Sequence, residues 1–503
     1  MCKQYFADKE LVNPNLAYAP IILGTDNPQC QIPEVQSSGA LFIMVMSLCT
    51  GILSIFIAPK MGQLSDRYGR TKLMALASCG GLVAEVITIL AAKFPDIVDY
   101  RWLILGSVCD GLTGSFTAGS ILSQAYTSDC TAPSKRAVSI GYIHACLFGG
   151  LAIGPLLAGY IVKWTGSLIT IFYIVMGCHL FFIFCVGFVI PESLSKQRRL
   201  IAREKHEKEL ELYRQDGTWL GTAKAANPLE PLKVLWPSGH GTSTQLRINL
   251  VVLAFVDFVI MGCMVSAGPV IMLYTRFQFH WGTFETSNFI SSLSMVRVVV
   301  LMGIFPIINY IFRIRPRNRQ IRLTGVVLPD TNSGADNLDI WILRVALLSD
   351  IIGSVGYIFA RSEALFYLSG MMTAVGGLGS ATVQAVVTKH VPADRVGGVL
   401  GAIGMLHAST RVVGPLVFNG LYAKTVGHFT QAIFVLLVSI FTLGLVSSLA
   451  VRPRGMSRRT VILLRSTIGH LVATFGQCVA STDSRHSILE RGQATEWRRG
   501  GDD

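Results

Sequence analysis

Of the 503 residues, 51% are hydrophobic and only 15% are charged, whereas about 25% are charged in a typical soluble domain. This composition excludes an ordinary water-soluble globular protein. The net charge of +13 would suit a nucleic-acid-binding face if the basic residues formed one folded surface, but they lie in short segments between apolar runs. We therefore expect a membrane protein surrounded by the lipid bilayer, with no nucleic-acid partner.

The chain carries 11 cysteines, most of them single residues inside apolar runs and none in a CxxC pair, so we interpret them as small apolar side chains. The one disulfide that we predict joins Cys2 and Cys30. No HExxH motif, cluster of histidine ligands, nucleophile motif or Walker loop occurs in the sequence. The sequence thus predicts no metal and no cofactor, and it argues against an enzyme or an ATP-driven pump.

Apolar runs long enough to cross a bilayer as a helix, which takes about 20 residues, follow one another along most of the chain. They lie near residues 39–60, 73–92, 102–126, 137–162, 167–190, 247–275, 285–312, 340–360, 364–388, 396–423 and 428–451. The predicted fold class is an all-α polytopic membrane protein with about 11 transmembrane helices.

A long polar stretch divides these spans into two groups. Residues 38–190 form a predicted N-terminal bundle of five spans and residues 247–451 a C-terminal bundle of six. Because Lys and Arg in short loops favour the cytoplasmic side, we predict that the linker 191–246 and the tail 452–503 are cytoplasmic. Residues 1–37 then form a non-cytoplasmic N-terminal loop.

The two bundles carry an internal repeat, as many membrane transporters do. Matching residues recur at an offset of 259 or 260 positions in equivalent places of each half. Pro133 and Arg136 recur as Pro392 and Arg395, Gly154-Pro155 recurs as Gly414-Pro415, and Gln124-Ala125 recurs as Gln384-Ala385. We interpret the halves as a parallel repeat.

The most specific string is GQLSDRYGR, which follows the first span. Gly62 and Gly69 are small enough for helix ends to approach each other, and Asp66 can accept hydrogen bonds from helix N-terminal amides. Arg67 and Arg70 supply basic groups that can hold the acid. We expect Asp66 to contact amides and basic groups across the two halves and so to stabilise one of two bundle arrangements.

A second pattern lies in the span 137–162, where small residues form a stripe. Such a stripe lets helix backbones touch, and a proline removes one helical hydrogen bond, so that the helix can bend. Its members are Gly141, Gly150, Gly154, Pro155, Ala158 and Gly159.

Together the loop and the stripe resemble two signatures of the major facilitator superfamily, GxLxDRxGRxxx and the antiporter motif G(x)8G(x)3GP(x)2GG, with Ala158 replacing one glycine. The resemblance extends from residue 1 to about residue 451. It implies two helical bundles that transport by alternating access. In that family the signature loop follows the second helix. We therefore expect the observed spans to be helices 2 to 12 of the usual 12, with the first helix missing from this chain.

Within the family, the chain resembles fungal-type drug and solute carriers of the proton-antiporter and tetracycline-resistance group, through IPES at 190–193 and DGLTGS at 110–115. That implies a small organic or drug-like substrate, protons as coupling partner, and a plasma or vacuolar-type membrane. Ser107 stands where many proton antiporters have an arginine. The role of that arginine in proton coupling is therefore not assigned to this chain. Two alternatives stay open: a non-transporting sensor or inactive truncated isoform, and a proton-coupled solute importer.

Ionisable residues within spans cost roughly 2.5–3.5 kcal/mol each at the bilayer centre and therefore need a cavity or a partner. We expect coupling or substrate binding from a set in which Asp110 is the first choice for coupling and Glu85 the second. The set is Asp110, Glu85, Asp257 and Arg297.

Partners for these groups are also predicted. We expect Arg297 to neutralise Asp257, and Arg344 or Arg411 either to pair with Asp350 or to reach the interface. The histidines within spans are expected to be satisfied core residues. They are His144, His179 and His407.

Overall fold

The computed structural model describes residues 33–95, 97–215, 230–237, 243–325, 334–392, 395–425 and 428–453. The structural statements below concern this part of the chain. The predicted disulfide between Cys2 and Cys30, the loop 1–32 and nearly all of the tail 452–503 lie outside it.

The first half is built from apolar helices joined by short turns. Pro133 begins a helix at the first helical position, where its missing N–H is not needed, and that helix ends at Gly166, which has a positive φ of 67°. The helices are α1 (Pro33–Tyr68), α2 (Arg70–Lys93), α3 (Trp102–Leu112), α4 (Ser115–Cys130), α5 (Pro133–Thr165) and α6 (Ile169–Phe184), which continues as a π turn, Cys185–Val189.

The linker contains one charged helix, α7 (Lys196–Gln215), and a short 3₁₀ segment, Glu230–Leu235. The second half then repeats the helical pattern. Its helices are α8 (Thr244–Phe279), α9 (Thr283–Val299), α10 (Phe305–Asn309), α11 (Arg315–Thr324), α12 (Asn337–Phe359), α13 (Glu363–Ala374), α14 (Gly377–Lys389), α15 (Val396–Thr425) and α16 (Ala432–Ser448).

Helices α9, α10 and α11 form one long rod interrupted by two π turns, Val300–Ile304 and Tyr310–Ile314. Each turn directly precedes a segment with a proline in its first turn, Pro306 or Pro316. A proline has no N–H to donate to the carbonyl four residues earlier, so one helical hydrogen bond is missing. Single π turns are the usual form in which the π-helix occurs within an α-helix.

In the described part of the chain, nine helices are long and apolar enough to cross a membrane. Helix α16 is also apolar but has 17 residues, and the predicted span 102–126 is divided into α3 and α4 at Thr113 and Gly114. A corresponding break separates α13 from α14. The structure confirms the all-α polytopic fold class, whereas the assignment of each half to a domain stays a prediction.

The two halves meet along α1 and α15 and along the first part of α5. We call the end of the molecule where α1 ends and α15 begins the linker end, and the opposite end the far end. On α5 the last buried residue is Ala152, and Trp164, near the far end, is 90% exposed. Along α5 the halves are therefore packed at the linker end and separated at the far end.

Candidate functional site

The first contact between the halves is made by Asp66. Its Oδ2 accepts a hydrogen bond of 3.1 Å from the backbone N–H of Gly398, two residues after the start of α15 at Val396. The first amides of a helix have no partner within the helix and carry the positive end of its dipole. Asp66, near the end of α1, therefore caps a helix of the opposite half.

Arg70 holds this carboxylate in place from the same half. Its guanidinium lies 2.6 Å from Asp66 Oδ1 and donates a 3.0 Å hydrogen bond to Asp129 Oδ2, and it also contacts the Ser65 hydroxyl. The Arg70 side chain is fully buried. A buried cation between two acids is compensated only while both stay in reach, so this network depends on the geometry of α1, α2 and α4.

Glycines allow the two helices to come this close. A Cβ atom added at Gly62 would lie 2.6 Å from the Gly397 carbonyl oxygen, and one at Gly401 would lie 2.9 Å from the Pro59 carbonyl oxygen. Both neighbours are backbone atoms that cannot rotate away. Any side chain here would force α1 and α15 apart.

Glu192, in the IPES string, closes the start of α2. Its carboxylate accepts hydrogen bonds from the N–H of Arg70 at 2.9 Å and from the N–H of Thr71 at 3.3 Å. Burial alone would raise the pKa of Glu192, but hydrogen bonds to Arg70, Leu194 and Thr71 outweigh burial and hold this pKa below its ordinary value. Gly69, at φ 109°, leaves the space that the Glu192 carboxylate occupies.

The linker helix α7 packs against the end of α1. Arg203 Nε donates to the Arg67 carbonyl oxygen at 3.1 Å, and its guanidinium lies 4.8 Å from the ring centre of Tyr68. A cation near the last carbonyls of a helix is favourable. The Arg67 carbonyl oxygen thus joins the linker helix to the end of α1.

The second half carries a network of opposite sign at its own linker end. Asp339 lies between two cations, with Oδ1 2.6 Å from Arg313 Nη2 and Oδ2 2.6 Å from Lys389 Nζ. Arg136 of the first half reaches this region and donates to Thr388 Oγ1 at 3.2 Å. Asp339 and Lys389 are both buried.

The glycine stripe on α5 is packed at only one of its positions. A Cβ atom at Gly141 would lie 3.1 Å from the Phe305 ring, so here α5 touches the other half. At Gly150, Gly154 and Gly159, apart from the nearby backbone of α5 itself, no atom of the described residues lies within 4 Å of the added Cβ. The expected backbone contact at these three glycines is therefore absent from this arrangement. Gly154 and Gly159 lie beyond Ala152 on the separated part of α5, and Gly150, although it precedes Ala152, faces no neighbouring helix among the described residues.

Four polar side chains meet inside the bundle, and we call them the central polar cluster. Asp257 Oδ2 of α8 lies 2.6 Å from His407 Nε2 of α15, and Asp257 Oδ1 lies 3.4 Å from Gln384 Nε2 of α14. His144 of α5 interacts with Asp257, His407 and Gln384. The cluster joins both halves. The predicted neutralisation of Asp257 by Arg297 is wrong, because His407 on α15 occupies that place.

Arg297 has a different partner, Asp350 on α12, with which it interacts electrostatically. Its guanidinium lies 4.9 Å from the centre of the Phe148 ring on α5. The absence of a side chain at Gly376, where α13 and α14 separate, makes room for the Asp350 carboxylate. The predicted pairing of Asp350 with Arg344 or Arg411 is therefore wrong.

Those two arginines lie elsewhere. Arg344 donates to the Ser448 carbonyl oxygen at 3.3 Å. Arg411 interacts with Asp110 of the first half, and its guanidinium lies 5.3 Å from the Phe116 ring centre. Asp110, the first choice for coupling, thus faces a fixed cation across the two halves.

Glu85, the second choice, pairs within the first half. Its Oε2 lies 2.9 Å from His179 Nδ1. Neither residue belongs to the central polar cluster, so the structure does not bring Glu85 together with Asp257. The Glu85–His179 pair instead borders Asp110, since a Cβ atom added at Gly81 would lie 3.5 Å from His179 Nε2 and 3.8 Å from Asp110 Oδ1.

The repeat explains several residues that motif reading missed. Gln124 Nε2 donates to Ser120 Oγ at 3.1 Å, and at an offset of 260 residues Gln384 Nε2 donates to Ser380 Oγ at 3.2 Å. Lys389 stands 260 residues after Asp129. The sequence contained the signal for these positions, since Gln124 and Gln384 were among the matching pairs.

Two helical bundles that contact each other at one end, a helix α5 that separates from the other half towards the opposite end, and buried ion pairs within each bundle are features typical of secondary membrane transporters. The chain belongs to the Major Facilitator Superfamily, whose family model matches residues 7–328. It is accordingly a multi-pass integral membrane transporter of small solutes, and not an enzyme.

Its relatives agree with that class. The chain is 28% identical over 404 residues to the MFS-type transporter avaJ of Aspergillus versicolor, covering 80% of this chain and 75% of the relative. It is 21% identical to the class C tetracycline resistance protein of Escherichia coli, covering 84% and 87%. The fold is similar to the human organic anion transporter MFSD10, with a TM-score of 0.59 and 18% identity over 83% of this chain and 86% of that one.

Proposed function

We propose that the protein exchanges a small organic or drug-like solute for protons by alternating access, in a plasma or vacuolar-type membrane. The observation that carries this proposal is the hydrogen bond from Gly398 N–H to Asp66, which closes the linker end between the halves. The separation of α5 from the other half beyond Ala152 supports it. An arrangement closed at one end and open at the other is one of the two that alternating access requires.

Orientation is part of the proposal. The linker end is rich in Lys and Arg, including four arginines in α11, and positive loops favour the cytoplasm. The closed end would then be cytoplasmic and the open end would face outward. In the gating role that we propose, Asp66, Arg67, Arg70, Gly62 and Gly69 stabilise this outward-facing arrangement.

Proton coupling is supported by buried carboxylates beside neutralising groups, since an acid in a membrane interior is a functional residue by default. Purified protein in liposomes with a trapped pH dye tests the coupling directly. Addition of a transported solute on one side should move protons in the opposite direction. Movement in the same direction would favour the importer, and solute binding without flux would favour the sensor.

The solute itself can be found with a panel that contains tetracycline and other drug-like amines, acids and neutral compounds. Asp66→Asn provides the specific control, because it removes the charge that caps α15. Uptake that depends on the pH gradient in the wild type and slows at least about tenfold in this variant supports the proposal. Gradient-independent leakage that is equal in both would contradict it.

A further inference from the structure

Within the central polar cluster, one histidine and one carboxylate form a direct pair. Asp257 is fully buried, while the His407 side chain keeps 13% of its surface exposed. Any route from water to the pair therefore leads through His407. Both residues lie about 17–20 Å along their helices from the linker end, at 1.5 Å per residue.

We propose that the Asp257–His407 pair is the proton-binding site, and that its charge decides whether the linker end can close. The inference rests on the proposed exchange against protons. It replaces both earlier candidates for coupling: Asp110, whose carboxylate faces the fixed cation Arg411 across the halves, and Glu85, which pairs with His179 within the first half.

The proton balance is simple. With His407 Nε2–H donating to the Asp257 carboxylate, which the 2.6 Å distance fits, Nδ1 is the nitrogen that can take up a proton. No hydrogen bond to that nitrogen is found among the described residues. Uptake of one proton from water at Nδ1 changes the charge of the pair from −1 to 0, and release at Nδ1 reverses the change. No bond between heavier atoms forms or breaks.

Other charged groups near the pair already have partners of their own or lie at the surface. Helix α16, which packs against α8, contributes no titratable side chain, and Lys233 of the 3₁₀ segment is exposed. Charged groups on the other surrounding helices also have partners. Lys389 lies with Asp339, Arg297 with Asp350, Arg411 with Asp110, and Arg344 with the Ser448 carbonyl. From the first half, α1 contributes an exposed Lys60, and α1, α2 and α4 contribute Arg70 with Asp66 and Asp129, while Arg136 of α5 donates to Thr388. Among the described residues, no arginine or lysine is therefore found to neutralise the pair at Asp257.

His144 links this charge to the opposite half. It is 4% exposed and lies on the packed part of α5, between Gly141 and Ala152. An uncompensated charge is costly in a dry interior, so a pair of charge −1 favours separation of α5 and entry of water. The neutral, protonated pair favours the closed linker end that the structure has. His144 is a positioning residue in this scheme.

The repeat supplies matched positions to test it. Lys135 and Arg395, at the linker end, are exposed and stand 260 residues apart, as do Trp164 and Lys424 at the far end. Each pair, changed to cysteines in an otherwise cysteine-free chain, can carry two spin labels. Distances are then measured in nanodiscs by pulsed electron spin resonance between pH 5 and pH 8, without any solute.

We expect acid to shorten the 135–395 distance and lengthen the 164–424 distance, with the closed-to-open ratio changing by at most about tenfold per pH unit for one proton. Asp257→Asn should stay closed at all pH values. Glu85→Gln, which breaks a histidine–carboxylate pair within one half, should keep the wild-type response. His144→Gln should weaken it. A full pH response in Asp257→Asn, or none in the wild type, would overturn the proposal.

If Asp257→Asn does not fold, His407→Gln provides the second variant, because it removes the proton acceptor and keeps the carboxylate. It should favour the open linker end, and an unchanged response would again overturn the proposal. Transport is separable from this test. Proton-coupled flux that survives Asp257→Asn contradicts the inference alone, whereas a wild-type pH response without any coupled flux contradicts the proposed function alone.

Discussion

Lys389 occupies in the second half the position that Asp129 holds in the first, 260 residues earlier, and the two have opposite charge. Asp129 binds Arg70 at 3.0 Å, and Lys389 binds Asp339 at 2.6 Å. Each half therefore buries one charge between two of the opposite sign at the linker end. At the position shared by Asp129 and Lys389, both halves therefore carry a charge within an ion network, and the sign of that charge is reversed.

The inverted network predicts a strong loss of stability in Asp339→Asn. This change leaves Lys389 and Arg313 without their shared carboxylate, and breaking a buried pair costs about 3–5 kcal/mol. Asp336→Asn is the matched control, since Asp336 also touches Arg313 but its side chain is 44% exposed, and exposed pairs contribute about 1 kcal/mol or less. Thermal unfolding in detergent measures both, and equal melting temperatures for the two variants would contradict the prediction.

Asp66→Asn should slow transport at least about tenfold while leaving solute affinity nearly unchanged. The variant loses the charge that caps α15 and weakens one of the two arrangements, but it leaves the central polar cluster intact. Asp129→Asn is the comparison, because it removes one counter-charge of Arg70 without touching Gly398. Flux into liposomes measures the transport rate, and equilibrium binding measures the solute affinity. If the affinity of Asp66→Asn fell as much as its transport rate, the result would argue against a gating role.

Gly62→Ala should open the linker end. The new methyl group would lie 2.6 Å from the Gly397 carbonyl oxygen, so α1 and α15 must move apart by roughly 1 Å to restore ordinary contact. We expect a longer distance between labels at 135 and 395. Gly150→Ala adds the same methyl group where nothing lies within 4 Å, and a similar change in that variant would show that helix propensity, not contact, is responsible.

Some of these contacts could be predicted from the sequence and others could not. The spans, the repeat and the importance of Asp66 follow from periodicity, offset and a local motif. The partner of Asp66 does not, because Gly398 lies 332 residues away and contributes only a backbone amide, which any residue has. Asp257 was identified as an ionisable group in a span, yet its partner His407 depends on how α8 and α15 are rotated about their axes, which charge counting does not reveal.

The helix breaks were missed for a related reason. Gly114 and Gly376 mark them, but membrane helices contain many glycines that interrupt nothing. The same ambiguity affected the stripe on α5, where Gly141 makes a contact and Gly150 does not. A glycine pattern shows where close approach is permitted, and the relative position of the halves decides where it occurs.

The last prediction concerns acid sensitivity through His390, which follows α14. Its Nδ1 lies 2.8 Å from the Val386 carbonyl oxygen and must carry the hydrogen, while Nε2 accepts from the Ala335 N–H at 3.4 Å and lies 3.3 Å from Asn249 Nδ2. Burial lowers the pKa of His390 below its ordinary 6.5, and the backbone hydrogen bond to Val386 only partly offsets this. The folded protein therefore prefers the neutral ring, which keeps Nε2 free to accept.

A lowered pKa in the folded state means that the unfolded chain binds the proton first, so the contribution of His390 to the free energy of unfolding is complete above pH 6.5. It is lost as the pH falls from there through the folded pKa, by at most about 1.4 kcal/mol per pH unit. His390→Gln keeps a hydrogen-bond acceptor but does not titrate. Comparing melting temperatures at pH 7.5 and pH 5.5, we expect a smaller acid-induced decrease in this variant than in the wild type. Decreases of the same size in both would show that folding does not lower the pKa of His390 and that other groups account for the acid sensitivity.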